Sequence, residues 1–219
     1  MEFDTTIYYK ITDIEGKTHG DTVWAEGIEH KAIGTGIQFC SPDLIHFYTH
    51  PLLAMMHNPG HRDYQPPRLW EIIASLPVYH EGQLKSGAKL VRVIKEISLP
   101  NVSVEQRIRY GILCAKKVYS DENWVTWAEN WLTNKNRDVE VAKTIATNVF
   151  DIGNSIHRGS YYSKAAHAYA AAYATVATCE NDTIIGINIG TYVSMAVQSA
   201  SDASDHKIDL ISLVFETMK

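Results

Sequence analysis

The chain has 219 residues and a formal net charge of −5, with 45% hydrophobic and 21% charged residues. Neither half is basic, which argues against a broad footprint on a phosphate backbone and makes DNA or RNA a poor candidate partner. There is no apolar run of about 18 residues, so we expect no membrane span. The N-terminus lacks the basic and apolar regions of a signal peptide, and three widely spaced cysteines fit a reducing compartment, so we expect a cytoplasmic protein.

The first part of the chain has the pattern of strands separated by turns. Runs rich in β-branched and aromatic residues predict strands at residues 5–12, 21–27, 36–40, 68–75 and 88–99. In the last run, apolar residues alternate with mixed ones, which is typical of a strand with one exposed face. These runs predict a small antiparallel sheet in residues 1–100.

One helix is expected inside this β-rich part. Ser41 is a favourable N-cap, Pro42 suits the first helical position, and Asp43 complements the positive end of the helix. Pro51 lacks a backbone donor, so we expect the helix to kink or stop near His50 and a short turn to follow.

After Pro100 the periodicity becomes helical. Ser103 and Gln106 form a capping box, and Ser120 is expected to cap the next helix. The tryptophans at 124, 127 and 131 share one face of that helix, which predicts core residues. Further helices are predicted at residues 138–150, 160–179, 183–200 (where a strand is an open alternative for the β-branched start) and 208–218.

The pattern as a whole predicts an α+β fold. A small antiparallel sheet with one broken helix occupies residues 1–100, and a helical bundle occupies residues 101–219. The two parts form either separate domains or one shared core.

Several runs carry a resemblance to known proteins. The runs YYKI, GIQFC, SPDLIHFY and RLWEIIA, the last leading into LVRVIKEI, resemble an uncharacterised domain family of phage and prophage accessory proteins. The runs EQRIRYGILCAKKVY and NWVTWAENWL resemble a helical segment that often follows that domain. The resemblance implies a phage protein acting in the host cytoplasm against host defence. A second similarity, to ADP-ribosyltransferase-like folds, implies a nucleotide cleft with Glu96 as the candidate acidic residue.

The first candidate site lies around the loop NPGHRDYQPP. Its members are His61, Arg62, Tyr64 and Arg68. Arginine binds phosphate through two hydrogen bonds, while tyrosine and histidine stack on nucleotide bases. Prolines in the loop would lower the entropy cost of binding. We therefore expect a small anionic, nucleotide-like ligand here; a solvated, proline-stiffened connection is the alternative.

The second candidate site lies at the start of the alanine-rich helix. It comprises His157, Arg158, Tyr161 and Tyr162. A helix N-terminus attracts anions, so these residues are also candidate ligand-binding residues. The alternative is that they only cap the helix.

Four histidines raise the question of a metal site. His46 and His50 are spaced to share a helical face, and His57 and His61 repeat the spacing, although Pro59 and the glycine after it should break any helix between them. The glutamate of an HExxH motif is missing, and no further ligand is evident. We therefore predict no metal and no cofactor.

The cysteines give little indication of catalysis. Cys40 with His46 would make a Cys–His nucleophile, but no group that orients the base can be identified. We interpret Cys40 and Cys114 as small buried apolar residues.

The alanine-rich helix also bears on assembly. Residues 160–179 have small side chains around much of the helix, and Tyr162, Tyr169 and Tyr173 lie on one side. Such a helix can pack closely on two faces, one inside the subunit and one against a second copy. We predict a homo-oligomer, in its simplest form a homodimer; burial inside one bundle is the alternative.

Three classes of function fit these observations. The leading hypothesis is a non-enzymatic protein that captures a nucleotide-like anion and sequesters a host immune signal. The second is an enzyme acting on a nucleotide or ADP-ribose-type substrate. The third is an inhibitor that binds a host defence protein.

Overall fold

A computed structural model describes residues 2–61, 64–159, 162–179, 189–205 and 207–219, without the side chains of residues 59–61, 157–159 and 162–164. The chain divides into two compact units, Met1–Asn101 and Val102–Lys219, which we call unit 1 and unit 2. Strands and one α-helix are found in unit 1, and helices in unit 2. The α+β class predicted from the sequence is confirmed.

The main sheet of unit 1 has four antiparallel strands. In the order in which they lie side by side, they are β1 (Tyr8–Thr12), β6 (Arg68–Ala74), β9 (Leu90–Ile97) and β4 (Glu29–Lys31). Val91 and Val93 of β9 are buried, as the alternating pattern predicts. The core of unit 1 packs on one face of this sheet and includes Tyr8, Trp24, Phe47, Trp70 and Ile72.

Two smaller sheets complete unit 1. One contains β5 (Ile45–Phe47), β8 (Lys85–Ala88) and β7 (Tyr79–Glu81) in that lateral order. The other pairs β2 (Lys17–Thr18) with β3 (Thr22–Val23) across a short 3₁₀ turn. An antiparallel bridge between Tyr9 and Tyr48 joins β1 to the end of β5, which brings Lys10 beside the chain at His46.

The strand predicted at residues 36–40 is wrong, because this segment is a loop. Its backbone donors bond to a side chain instead of a neighbouring strand. The Asp43 carboxylate accepts the N–H of Gly36 at 3.0 Å and that of Gln38 at 3.2 Å. Ser41 closes a tight turn in the same loop by donating to the Gln38 carbonyl at 2.8 Å.

The helix predicted to begin at Ser41 is also wrong. Strand β5 and helix α1 (Pro51–His61) take its place. Pro51 occupies the first position of α1, where a missing N–H does no harm. The His50 Nδ1 atom caps this end by accepting the N–H of Leu52 at 3.2 Å.

The regular secondary structure in the described part of unit 2 is helical. Its helices are α2 (Val104–Lys116), α3 (Glu122–Leu132), α4 (Val139–Gly159), α5 (Tyr162–Val176), α6 (Ile189–Ala203) and α7 (Leu210–Thr217). The capping box of Ser103 and Gln106 is confirmed. Asp121, not Ser120, caps α3, because its carboxylate accepts the N–H of Trp124 at 3.0 Å. The open choice at the start of 183–200 falls on residues 183–188, outside the described residues.

Aromatic and small side chains fill the interior of unit 2. Trp124, Trp127 and Trp131 are buried, as predicted, and the Trp124 indole donates to Thr175 Oγ1 at 2.8 Å. Alanines on several sides of α5 are buried within the unit, including Ala170 and Ala171. Burial inside one bundle therefore accounts for these alanines, and the homo-oligomer stays a prediction. None of the helices in the described part of the chain is long and apolar enough to cross a membrane.

Candidate functional site

Among the described residues of unit 1, two cavities share part of their lining. The smaller has a volume of about 240 Å³ and the larger about 780 Å³. Both are lined by Lys10, Thr18, Cys40 and His46. We call them together the Lys10 cleft. The smaller cavity is completed by Ile11, Tyr48, Asn58, Tyr64 and Lys85, and residues that complete the larger include Trp24, His30 and Lys31.

Lys10 lies on β1. Of the residues that line both cavities, it is the one whose side chain is a cation. Its Nζ donates to the His46 carbonyl at 2.7 Å and lies 5.0 Å from the centroid of the Trp24 ring. Withdrawal of the ammonium from water lowers the pKa of Lys10 to about 8. Among the ion pairs of the described residues, none joins a carboxylate to Lys10. The cleft therefore holds a cation without a protein counter-charge in contact.

Lys85 is the second cation of the smaller cavity. Its side chain is 9% exposed, and its Nζ lies 3.0 Å from Glu81 Oε2 and donates to Cys40 Sγ at 2.9 Å. Burial alone would lower its pKa, but the hydrogen bonds to Cys40 and Glu81 outweigh burial and raise the pKa of Lys85. Lys85 therefore stays charged and is largely neutralised by Glu81.

Cys40 is exposed, so the prediction that it is a buried apolar residue is wrong. It lies in a left-handed turn with φ of 57° at the end of the loop described above, and the turn directs its backbone N–H to His46. His46 Nε2 accepts this N–H at 3.2 Å, and the His46 ring stacks on Phe39 at 5.6 Å. The Nε2 lone pair is thereby occupied, and the Cys40 sulfur contacts Lys85 instead. Cys114, by contrast, is buried, as predicted.

Aromatic side chains form one wall of the smaller cavity. Tyr48 is buried, and burial in the first place, with the nearby Tyr64 as a further cause, raises the pKa of its hydroxyl. Asn58 and Tyr64 exchange two hydrogen bonds, at 3.0 and 3.2 Å, between the Asn58 amide group and the Tyr64 backbone. This exchange fixes the position of Tyr64 where the chain enters β6.

The larger cavity is lined by a histidine whose ring has one buried nitrogen without a hydrogen-bond partner among the described residues. The Trp24 indole donates to Thr18 Oγ1 at 2.9 Å, and the His30 ring lies 4.1 Å from the Trp24 ring. His30 Nε2 is buried and has no hydrogen-bond partner among the described residues. Burial first, and the charge of Lys10 second, lower the pKa of His30 and keep the imidazole neutral. A ligand in this cavity could satisfy that nitrogen.

Lys89 fixes the loop that carries Cys40. Its Nζ donates to the carbonyls of Gly34 at 3.2 Å and Asp43 at 2.7 Å, and also to the carbonyl of Gly36. A Cβ atom at Gly34 would lie 2.2 Å from Asp43 Oδ1, so the loop closes too tightly for a side chain at this position. The wall that carries Cys40 is therefore held by several charge-assisted hydrogen bonds.

The residues of the first predicted site divide between the cleft and the sheet. Tyr64 lines the smaller cavity. Arg68 lies on β6, where its guanidinium binds Glu96 through Nε–Oε1 at 2.9 Å and Nη2–Oε2 at 2.5 Å and stacks on Trp70 at 4.6 Å. Arg62 lies outside the described residues, and of His61 only the backbone is described, in α1.

The second predicted site lies where α4 ends and α5 begins. His157 and Arg158 belong to the last turns of α4, and Tyr162 is the first residue of α5; of all three only the backbone is described. Tyr161 lies outside the described residues. The backbone positions of His157, Arg158 and Tyr162 in unit 2 are therefore known, and their side chains are not described.

The sequence spacing predicted that His46 and His50 share one helical face, and this prediction is wrong. His46 lies on β5, His50 caps α1, and His57 is buried in α1, which continues through Pro59 to His61 despite the break expected there. Within the described residues, no three His, Cys, Asp or Glu side chains are placed to hold a metal ion.

The cleft residues that sequence analysis missed are Lys10, Lys85 and His30. Lys10 carried one local signal, because it is the charged residue inside the aromatic and β-branched run TTIYYKIT. Lys85 and His30 carried none, since their neighbours in the cleft come from distant parts of the chain. Comparisons with protein-family models, with curated proteins and with solved structures gave no match to this chain.

Proposed function

We propose that this protein binds a small anionic, nucleotide-like ligand in the Lys10 cleft and holds it without converting it. The observation that carries the proposal is the Lys10 ammonium, which is half-buried, lines both cavities of the cleft and has no carboxylate partner among the described residues. A desolvated charge is unfavourable unless an opposite charge compensates it. A bound anion would supply that charge.

The size and lining of the cleft favour an anion that also carries a ring. A cavity of about 780 Å³ is in the range of small-molecule sites, which are mostly apolar with a few placed polar groups. Tyr64, half-buried at the smaller cavity, offers an aromatic surface. His30 Nε2 offers an unused hydrogen-bonding atom in the larger one. These groups suit the ring and polar edge of a nucleotide.

Two further points favour capture over turnover. His46 Nε2 is occupied by the Cys40 N–H, so this nitrogen does not act as a base toward the neighbouring thiol. Glu96, the acidic candidate of the transferase-like similarity, is bound by Arg68 through two hydrogen bonds. Together with the resemblance to phage accessory proteins, this supports sequestration of a nucleotide signal of host defence as the biological role.

A depletion experiment tests the proposal directly. The protein is incubated with a panel of mononucleotides, dinucleotides and cyclic nucleotide signals, separated from the solution, and heated to release what it holds. Recovery of an intact, stoichiometric nucleotide supports capture. A chemically altered nucleotide would instead indicate an enzyme. No depletion of any anion would contradict the proposal and leave the inhibitor of a host protein as the surviving hypothesis.

Variants locate the binding. Losing a charge-assisted contact costs about 1.5–3 kcal/mol, so Lys10→Met should weaken binding of the retained nucleotide by roughly ten- to a hundredfold. Lys95→Met is the matched control, because Lys95 is 57% exposed on β9 and pairs with Glu71 away from the cleft lining. The sequence predicts that Arg62→Ala and Arg68→Ala weaken binding, and the same titration measures both. Equal affinities for Lys10→Met and wild type would remove the cleft from consideration.

A further inference from the structure

Lys10 is reachable from both cavities of the cleft, so a ligand in either one meets its amine. The Nζ atom is fixed by its bond to the His46 carbonyl at 2.7 Å and by the Trp24 ring at 5.0 Å. These contacts come from β5 and from the residue that follows β3. The amine is therefore held in place at the wall of an open cavity.

A lysine amine attacks carbon only when it is neutral. An ordinary lysine at pH 7 is neutral in less than about one molecule in a thousand. With its pKa lowered to about 8, Lys10 is neutral in about one molecule in ten at the same pH. Desolvated lysines of this kind form imines with carbonyl compounds.

We infer that Lys10 captures a small anionic aldehyde as a reversible imine, an inference that rests on the proposed anion-binding function of the same cleft. The Nζ lone pair attacks the carbonyl carbon and forms a C–N bond, which gives a carbinolamine. The carbonyl oxygen then leaves as water, taking both amine protons, and a C=N bond remains. The step needs neither oxidant nor reductant, and water reverses it.

The larger cavity is the one that suits such a ligand. Its volume of about 780 Å³ accommodates a ring beside Lys10, and Lys31, exposed at its lining on β4, provides a cation for the anionic group. His30 Nε2 is the polar atom available to the ring. A phosphorylated aromatic aldehyde combines the three features that these residues would recognise.

Pyridoxal 5′-phosphate is a suitable probe of this chemistry. The full-length protein is incubated with it at micromolar concentration, reduced with borohydride, digested and mapped by mass spectrometry. We expect the reduced adduct on Lys10 at least tenfold above that on Lys95, with labelling that rises as pH passes through about 8. Lys10→Met should lose this adduct, and Lys95→Met should keep it. Labelling of Lys10 that does not exceed that of Lys95 would overturn the inference.

A non-reactive analogue distinguishes imine formation at Lys10 from simple anion binding in the Lys10 cleft. Pyridoxine 5′-phosphate has the same ring and phosphate but an alcohol in place of the aldehyde, and its binding is measured by calorimetry. Binding of the analogue without an adduct on Lys10 overturns the imine and leaves the anion site standing. Failure of both overturns the imine, and the nucleotide depletion experiment then decides by itself whether the anion site stands. Equal labelling by uncharged benzaldehyde, with no binding of the analogue, contradicts the anionic specificity.

Lys10→Arg gives an independent check that does not depend on losing the charge. Arginine keeps the positive charge and does not form this imine. We expect Lys10→Arg to bind pyridoxine 5′-phosphate within about fivefold of wild type while giving no adduct at position 10. Far-UV circular dichroism equal to that of wild type shows that the variant is folded. An adduct pattern unchanged from wild type would show that the labelled amine is elsewhere.

Discussion

Replacing Lys10 by methionine should stabilise the protein, although it removes the residue on which binding depends. The fall of the Lys10 pKa from 10.5 to about 8 corresponds to about 3 kcal/mol against the charged form. Because Lys10 is only half-buried, we expect the methionine variant to gain only about 2 kcal/mol of stability from removal of the charge. Loss of the bond to the His46 carbonyl should cost the variant about 1 kcal/mol of this gain. The net expectation is a free energy of unfolding higher by roughly 1 kcal/mol at pH 7.

The pH dependence of stability independently predicts the sign of the difference between wild type and Lys10→Met. The folded-state pKa of Lys10 lies below its unfolded value, so the folded protein binds fewer protons between about pH 8 and 10.5. Wild-type stability should therefore rise relative to Lys10→Met through this window. The advantage of the variant should be largest below about pH 8, and it should pass through zero and reverse as pH approaches 10.5, because the cost of the buried charge disappears while the bond to the His46 carbonyl remains lost.

The assay must report on unit 1. Amide hydrogen exchange of β6 and β9, measured with urea denaturation from pH 7 to 10, follows the sheet that carries Lys10 at its edge. Lys95→Met, an exposed change on β9, should alter stability by less than about 0.5 kcal/mol at every pH. A Lys10→Met protein that is less stable than wild type at pH 7, or a difference that does not change with pH, would refute the reasoning.

Other expectations are open to direct measurement. Lys89→Met removes a donor to three backbone carbonyls, so ligand affinity should fall at least about tenfold and stability by roughly 2 kcal/mol, measured by calorimetry and denaturation. Thr175→Val leaves the buried Trp124 indole N–H without its acceptor, and should cost about 1–3 kcal/mol of stability while leaving ligand affinity unchanged. Elemental analysis of untagged, dialysed protein should find well under one zinc per chain; about one zinc per chain would contradict this. Light scattering should give a mass near twice 24.6 kDa if the predicted homodimer forms, whereas a monomer at high micromolar concentration would exclude it.

Sequence patterns were informative where structure is set by nearby residues. Strands β6 and β9 lie within the predicted ranges, because alternation of apolar residues follows directly from burial of one face. The capping box at Ser103 was equally predictable, since both of its bonds join residues three apart. The buried tryptophans of α3 follow from helical spacing alone.

The segment from residue 36 to the start of α1 was not predictable in the same way. Its conformation depends on Lys89, which is distant in sequence and donates to the loop carbonyls. Pro51 is compatible both with the end of one helix and with the start of another, and local sequence does not choose between them. The Tyr9–Tyr48 bridge makes the choice, because it requires an extended chain just before α1.

The candidate site shows the same limit. The residues of the first predicted site are close along the chain, but in the structure Tyr64 lines the cleft whereas the Arg68 guanidinium is bound by Glu96. The cleft itself is assembled from β1, the 34–43 loop, β5, α1 and β8. A lysine in a strand becomes informative only when its neighbours and its lack of a carboxylate partner are known.

The most direct test of the account is the affinity of the nucleotide retained in the depletion experiment, measured by calorimetry for wild type and Lys10→Met at pH 7 and pH 9. Wild-type affinity should fall as pH passes the Lys10 pKa of about 8, because the ammonium that meets the anion loses its proton. Lys10→Met should bind at least about tenfold more weakly at pH 7 and show no such fall. Equal affinities for the two proteins, or a wild-type affinity that is the same at both pH values, would contradict the assignment of the anion to Lys10.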